Sequence, residues 1–194
     1  MNIFSRVAYL CVFVLFTISS LNQANAMLNQ EIKFTAPSEL ENWVVINDTV
    51  MGGRSQASLN IANGKLTFKG ELSLQNNGGF ASARRVYNVV PWQNDKPISI
   101  TVQGDGRKYQ FRLRTNRNVD GMAYVAHFQT EADKTQTFTF SSEDFSPQYR
   151  GRAIMNAPTL KFIDIEQLGF MLADKHAGPF ELLLQDIVQL GPVA

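Results

Sequence analysis

The segment that sets the pattern of this chain is Asn47-Asp48-Thr49-Val50-Met51-Gly52-Gly53-Arg54-Ser55, and Asn77-Gly78-Gly79-Phe80-Ala81-Ser82-Ala83-Arg84 has a similar design. Each segment places a Gly-Gly pair beside charged residues, and glycine permits both positive φ and close backbone approach. Between them, Leu59–Ile61 and Lys65–Gly70 alternate apolar and polar residues, as half-buried strands do. The two segments therefore predict specific turns between strands of a β-protein.

Short alternating segments continue along most of the chain and predict further strands. The predicted strands are Glu31–Thr35, Trp43–Asn47, Ala57–Ile61, Lys65–Lys69, Glu71–Leu74, Phe80–Tyr87, Ile98–Gln103, Lys108–Arg114, Ala123–Gln129, Thr135–Phe140, Gln167–Ala173 and Phe180–Leu190. Asn63-Gly64 between two of them predicts a tight hairpin turn. Many short strands with such turns are typical of an all-β fold, an antiparallel sandwich or jelly roll. Short helical turns are expected at Pro37–Asn42 and Ser141–Phe145, with Ser38 and Ser141 as N-caps.

The N-terminus has the pattern of an export signal. Arg6 precedes an uncharged apolar run, Val7–Ile18, and Ala24-Asn25-Ala26 has the small-x-small pattern of a cleavage site. The run is shorter than the roughly 20 residues that a membrane-spanning helix needs. We expect residues 1–26 to be a signal peptide, residues 27–194 to be one domain without a stable membrane span, and the mature protein to be periplasmic or secreted. Cys11, the only cysteine, would leave with the signal.

Composition and motifs exclude several functions. Removing Arg6 from the 18 Lys and Arg leaves 17, which equals the 17 Asp and Glu, so the mature chain lacks the basic excess typical of nucleic-acid binding. His127 and His176, the only histidines, have no metal-ligand spacing, although a structural calcium held by loop carbonyls is left open. We find no nucleophile elbow, phosphate loop or dinucleotide motif, and therefore predict no catalytic residues and no cofactor.

Charged residues at the glycine turns are the first candidates for a binding site. Asp48 could face a ligand, cap its own turn, or pair with Arg84, which flanks the second Gly-Gly turn. An enzyme that uses Asp48 with arginines as electrophilic groups is a further alternative. Strand parity places Phe80, Ser82 and Arg84 on one face, so the arginine lies either at the rim of a binding surface or in a buried ion pair.

The strand Lys108–Arg114 adds further candidates. Its apolar residues share one face and predict core packing, whereas Arg112 and Arg114 share the other, which is either a solvated face or a face that holds polar or anionic ligands. Trp43 precedes an apolar strand and is expected in the core, while Trp92, between a proline and a glutamine, is expected to be exposed. The predicted ligand- or partner-binding residues are Asp48, Arg54, Arg84, Arg112, Arg114 and Trp92.

Together, the motifs resemble those of the complex I intermediate-associated protein 30 family. The resemblance rests on Trp43, Asn47–Ser55, Phe68-x-Gly70, Asn77–Arg84, Gly104-Asp-Gly-Arg-x-Tyr109, Phe145-x-Pro147, Arg150-Gly151, Gly169-Phe170 and Ala177–Phe180, in this order. It implies a jelly roll similar to galactose-binding and carbohydrate-binding modules. Mitochondrial members of the family assist assembly of NADH:ubiquinone oxidoreductase. This chain departs from the family at Thr135–Thr137, where members usually carry a tryptophan, and in its export signal.

The resemblance implies a non-catalytic binding module that recognises a protein partner or an assembly intermediate. Export places this protein away from the mitochondrial matrix. The alternative is carbohydrate binding, because the implied fold is shared with sugar-binding modules and an exposed Trp92 could stack on a sugar ring.

Overall fold

A computed structural model describes residues 30–86, 90–116 and 121–189 of the chain. Within these ranges the backbone forms strands joined by turns and short 3-10 helices. The strands are β1 (Glu31–Lys33), β2 (Trp43–Asn47), β3 (Gln56–Ala62), β4 (Lys65–Leu72), β5 (Ala81–Arg85), β6 (Ile98–Gln103), β7 (Lys108–Arg114), β8 (Ala123–Gln129), β9 (Thr135–Phe140), β10 (Ser146–Tyr149), β11 (Arg152–Ala153), β12 (Gln167–Leu172) and β13 (Gly178–Gln189).

The strands form two antiparallel sheets. The first has six strands in the order β3-β4-β13-β6-β9, with β1 also paired to β13. The second has seven strands in the order β11-β10-β8-β7-β12-β5-β2. The long strand β13 pairs with β4 along its first half and with β6 and β1 along its second half. This arrangement is the antiparallel sandwich that the alternating pattern predicts.

Most strands lie where alternation predicts them, and five have the same bounds in both: β2, β6, β7, β8 and β9. The prediction is wrong at Gly70, which lies inside the single strand β4 instead of separating two strands. A Cβ on Gly70 would lie 1.9 Å from the Gln56 carbonyl oxygen, so the glycine permits close approach of β3.

Alternation did not predict β10 or β11. β10 contains Pro147, a residue that usually indicates an edge or no strand at all.

The predicted turns are also present. Asn63 and Gly64 have φ of 52° and 73°, which forms the tight turn between β3 and β4. Both predicted helical segments are 3-10 helices, at Pro37–Asn42 and Ser142–Asp144. Ser141 is the N-cap of the second, in a capping box in which its backbone N–H donates to Asp144 Oδ2 at 2.7 Å. The first has Ala36 at its N-cap, so the predicted capping role of Ser38 is wrong.

Aromatic side chains fill the space between the sheets. Phe111 and Phe170, on adjacent strands β7 and β12, stack with ring centroids 5.3 Å apart. Phe140 and Phe145 pack against Phe111, and Phe128 contacts Phe170. Because successive side chains point to opposite faces of a strand, the alternate residues of β5, β7 and β12 lie on the outer face of the seven-stranded sheet. That outer face carries the arginines of interest.

The predicted signal peptide, residues 1–26, lies outside the described residues. In the described ranges, no helix has the length and apolar character needed to cross a membrane.

Candidate functional site

Asp48 is buried at the centre of the two glycine turns. Only 1% of the residue is exposed, and its carboxylate accepts hydrogen bonds from four groups. The Ser55 hydroxyl and backbone N–H donate at 2.6 and 2.9 Å. The backbone N–H groups of Gly79 and Phe80 donate to Oδ2 at 2.6 and 3.3 Å. We call Asp48, Ser55 and the two Gly-Gly turns the carboxylate hub, since this one side chain joins both motifs.

The four glycines of the hub have two different roles. Gly52 and Gly79 have φ of 87° and 125°, the conformation predicted for these turns. Gly53 and Gly78 do not have positive φ; instead they leave room for Asp48. A Cβ on Gly53 would lie 2.3 Å from Asp48 Cγ, and one on Gly78 would lie 2.5 Å from Asp48 Oδ2. Each Gly-Gly pair therefore combines one turn glycine with one close-approach glycine.

The electrostatics of the hub favour an ionised Asp48. Burial by itself would raise the pKa of this carboxyl, but the hydrogen bonds from Ser55, Gly79 and Phe80 outweigh it and lower the pKa below its ordinary value. The predicted pair with Arg84 does not hold this carboxylate. Asp48 N–H bonds to Phe80 O, four residues before Arg84, a separation of about 13 Å along a strand. The carboxylate of Asp48 is buried and is held by groups of the two turns.

The arginines lie together on the outer face of the seven-stranded sheet. Arg84 of β5 and Arg112 of β7 flank Gly169 of β12, which is paired in register with both. Around them is a small cleft that is partly open to solvent, which we call the arginine cleft. Its lining includes Ser82, Arg84, Arg112, Arg114, Gln167 and Gly169. A Cβ on Gly169 would lie 2.2 Å from the Ala83 carbonyl oxygen, so glycine is needed where β12 and β5 approach.

Arg112 has a neutral hydrogen-bond partner. It is half-buried, and its Nη1 donates to Gln110 Oε1 at 2.6 Å. In the described part of the chain, no carboxylate lies within ion-pair distance of this guanidinium. Burial and then the neighbouring charge of Arg84 lower the pKa of Arg112 to about 10. Arg112 is therefore a partly desolvated cation beside a second cation.

Arg114 and Gln167 connect the cleft to the segment that follows β7. Arg114 is buried, and its Nη1 donates to the carbonyl oxygens of Gly121 and Met122 at 3.1 and 3.2 Å. Gln167 Nε2 donates to the Asn116 carbonyl at 3.1 Å, while its Oε1 lies 3.5 Å from Arg84 Nη1. These contacts fix one wall of the arginine cleft.

The structure places the remaining predicted binding residues elsewhere. Trp92 is 1% exposed, so the prediction of an exposed, stacking tryptophan is wrong. Its loop is held by Gln189, whose Nε2 donates to the carbonyls of Gln93 and Lys96 at 2.6 and 2.9 Å. Arg54 is exposed beside the hub and outside the arginine cleft. Trp43 is buried, as predicted.

Sequence reasoning missed two partly buried ion pairs, Arg85–Glu39 and Arg107–Asp174. Arg85 Nε and Nη2 donate to the two carboxylate oxygens of Glu39 at 2.6 and 3.1 Å. Arg107 binds Asp174 in the same bidentate way, at 2.9 and 2.6 Å. The paired residues are 46 and 67 positions apart, and no local pattern signals such pairing.

Metal ligands do not converge in the residues described. No cluster of three or more His, Cys, Asp or Glu side chains occurs there. His127 is exposed on the outer face of β8, and its pKa is lowered by burial and by the charges of Lys108 and Arg112.

A single known family matches almost the whole of the described sandwich. Residues 32–184 match the family described as Complex I intermediate-associated protein 30. The match runs from β1 to β13 and includes both the carboxylate hub and the arginine cleft. It confirms the resemblance that the sequence motifs indicate.

Solved structures with a similar fold include carbohydrate-binding modules. A family 11 module of a cellulosomal cellulase from Clostridium thermocellum has a TM-score of 0.57 at 15% identity, covering 76% of this chain and 86% of the module. The family 11 module from the same organism in complex with a β-1,3-1,4-mixed-linked tetrasaccharide gives 0.56 at 14% identity, covering 81% and 94%. An agarase gives 0.56 at 12% identity, and the match covers 84% of this chain and 25% of the agarase. These similarities confirm the predicted jelly-roll fold.

Proposed function

Because the chain belongs to the complex I intermediate-associated protein 30 family, we propose that it is an exported, non-catalytic module that binds another protein. The arginine cleft is the observation that carries this proposal. It lies on the open face of the seven-stranded sheet and offers charged and amide donors in place of a nucleophile and base. The signal-like pattern of residues 1–26 supports export.

The composition of the outer face favours a charged partner over a neutral sugar. By strand parity, the described strand residues of this face include no Phe, Tyr or Trp, and Trp92 is buried. A sugar ring would therefore find no aromatic platform there. Guanidinium groups suit the carboxylates of an acidic protein surface, because they donate paired hydrogen bonds in a fixed plane.

Affinity capture from the export compartment tests this proposal when a matched control is included. The baits are the wild-type chain, Arg112→Gln and Lys108→Gln. Lys108 is an exposed cation on the same face of β7, outside the arginine cleft, so both variants lose one positive charge. Proteins retained by wild type and Lys108→Gln but lost with Arg112→Gln support the proposal. If wild type retains no protein above a bait-free matrix, the proposal is wrong.

Carbohydrate binding is a second candidate because the fold is shared with family 11 modules, one of them solved with a mixed-linked tetrasaccharide. Calorimetric titration with that tetrasaccharide tests this candidate directly. A saturable heat signal would favour a glycan ligand over a protein partner. Its absence at millimolar sugar would leave the protein partner as the better explanation.

A further inference from the structure

Arg107 directly precedes β7, and its guanidinium lies among oxygen atoms of the segment that leads from β12 into β13. Its Nε and Nη2 donate to the two carboxylate oxygens of Asp174 at 2.9 and 2.6 Å. Nη1 donates to the carbonyl oxygens of Gly178 and Pro179 at 3.3 and 3.1 Å, and Nη2 also donates to the His176 carbonyl. We call these five oxygen atoms the oxygen cage.

The oxygen cage satisfies this cation completely. The hydrogen bonds use every N–H group that a guanidinium has. The side chains of Arg107 and Asp174 are only 13% and 11% exposed. Burial by itself would lower the pKa of Arg107, but its hydrogen bond and ion pair with Asp174 outweigh burial and raise it. The pair is therefore ionised and largely shielded from water.

A second carboxylate lies beside the cage and joins the same two segments. Asp105 Oδ1 accepts a hydrogen bond from the backbone N–H of Arg107 at 3.1 Å. Its Oδ2 accepts from the Tyr109 hydroxyl at 3.0 Å and from the Glu181 N–H at 2.8 Å. The charge of Asp105 also contributes to the raised pKa of Arg107. Two carboxylates therefore lie around one cation.

The oxygen cage has the donor set of a calcium site. Ca²⁺ takes roughly six to eight oxygen ligands from carboxylates, backbone carbonyls and water, and it tolerates irregular geometry. The Asp174 carboxylate and the three carbonyls would supply most of these ligands. Mg²⁺ suits such a set less well, because it needs near-ideal octahedral geometry and gives up its water reluctantly. Most atoms of the cage are backbone oxygens, so the cage is not a cluster of ligating side chains.

We propose that the guanidinium of Arg107 takes the place of a structural calcium ion, and that the oxygen cage is a calcium site filled by the protein's own cation. The cage fixes a segment with unusual backbone conformation, since Lys175 and Gly178 have φ of 63° and 120°. The wild-type fold therefore needs no calcium at this position. This inference is independent of the proposed function, because the arginine cleft takes no part in it.

Arg107→Ala tests the proposal, because it empties the cage and leaves Asp174 without a cation. We expect its melting temperature in calcium-free buffer to fall by about 10 °C relative to wild type. About 10 mM CaCl₂ should then raise the melting temperature of the variant by about 5 °C. MgCl₂ at the same concentration should raise it by less than about 1 °C. Wild type should melt within about 1 °C of the same temperature in calcium and in EDTA.

Matched variants separate a vacated calcium site from a general effect of the metal. Arg85→Ala also removes an arginine from a bidentate ion pair, but Glu39 still accepts hydrogen bonds from neighbouring side chains. Calcium should therefore not restore its stability. Arg107→Lys keeps a cation in the cage with fewer donors, so it should lose stability without responding to calcium. Adding Asp174→Asn to Arg107→Ala should abolish the response.

Three results would overturn the proposal. Calcium could stabilise Arg107→Ala no more than Arg85→Ala, or it could stabilise wild type as much as Arg107→Ala, which would mean that the guanidinium does not fill the site. A double variant that responds as strongly as Arg107→Ala would place the ion elsewhere. If Arg107→Ala is unfolded without calcium, circular dichroism during a calcium titration replaces the melts. Refolding supports the proposal, and a chain that stays unfolded while Arg107→Lys folds contradicts it.

Discussion

Asp48 in the carboxylate hub is a buried charge and Arg112 in the arginine cleft is a half-buried one, but their hydrogen-bond partners differ. Asp48 accepts four hydrogen bonds from groups within the two turns. Arg112 has one neutral acceptor and a second cation nearby. A charge whose hydrogen bonds come from the backbone stabilises the native structure. A charge that the fold leaves without a counter-ion is suited to a ligand.

The largest expected effect is at Asp48. Asp48→Asn removes the charge that four donors face and brings an amide N–H₂ group against them. We expect the free energy of unfolding to fall by about 3 kcal/mol or more. Urea unfolding measures this, with Asp95→Asn, an exposed carboxylate, as the control within about 0.5 kcal/mol of wild type. A loss below about 1 kcal/mol at Asp48 would mean that the hub is not what joins the turns.

The contribution of Asp48 to the free energy of unfolding should also depend on pH. Because the folded-state pKa of Asp48 is lowered, its contribution is fully present above the pKa of an unfolded aspartate, about 3.9. It is lost as the pH falls through the lower folded-state pKa. The difference in unfolding free energy between wild type and Asp48→Asn should therefore be constant near neutral pH and shrink below about pH 4. A difference that stays constant down to pH 2 would contradict an ionised hub.

The two glycines of the first turn should respond differently to alanine. At Gly53 the new Cβ would lie 2.3 Å from Asp48 Cγ, so the carboxylate must move. We expect a loss of about 2–3 kcal/mol there. At Gly52 nothing lies within 4 Å, and only the positive φ is strained, at about 1 kcal/mol. Denaturant melts of both variants compare them directly. Equal losses would show that steric contact with Asp48 is not what requires Gly53.

Arg112→Gln is expected to change stability least. The guanidinium has no counter-ion among the described residues, so its removal should shift the free energy of unfolding by less than about 1 kcal/mol in either direction. Arg85→Gln is the matched control, because the buried Arg85 forms a bidentate ion pair with the partly buried Glu39 and its loss should cost about 3 kcal/mol. If Arg112→Gln is as destabilising as Arg85→Gln, Arg112 stabilises the native fold in the same way. The proposed difference between the hub and the cleft would then be wrong.

Local pattern predicted the sheets well because alternation of apolar and polar residues is a property of the strand itself. β6, β7, β8 and β9 lie at the predicted bounds for this reason. The sequence pattern could predict one part of the hub but not the other. Ser55 lies seven residues from Asp48 within one motif, whereas Gly79 lies 31 residues away. Only the three-dimensional packing shows that both turns share one carboxylate.

The predictions that failed concern residues whose surroundings come from distant segments. Trp92 sits in a loop between Pro91 and Gln93, and a loop position favours exposure. Its loop is nevertheless fixed by Gln189, 96 residues from Gln93. The arginine cleft is likewise formed by segments that are distant in sequence. Strand parity placed Arg112 and Arg114 on one face. The strand between them and Arg84 is β12, which carries Gly169 and Gln167. No motif in the sequence links β12 to β7.

The position of β13 has a consequence for the order of folding. This strand lies between β4 and β6 in the six-stranded sheet, yet it is the last strand in the described chain. The six-stranded sheet cannot be completed until Gly178–Gln189 is available, and contacts between residues so distant in sequence form slowly. A chain emerging from a ribosome or translocon would lack a complete six-stranded sheet until β13 has emerged. Truncation before Gly178 should abolish protease resistance, and a truncated chain that stays resistant would contradict this order.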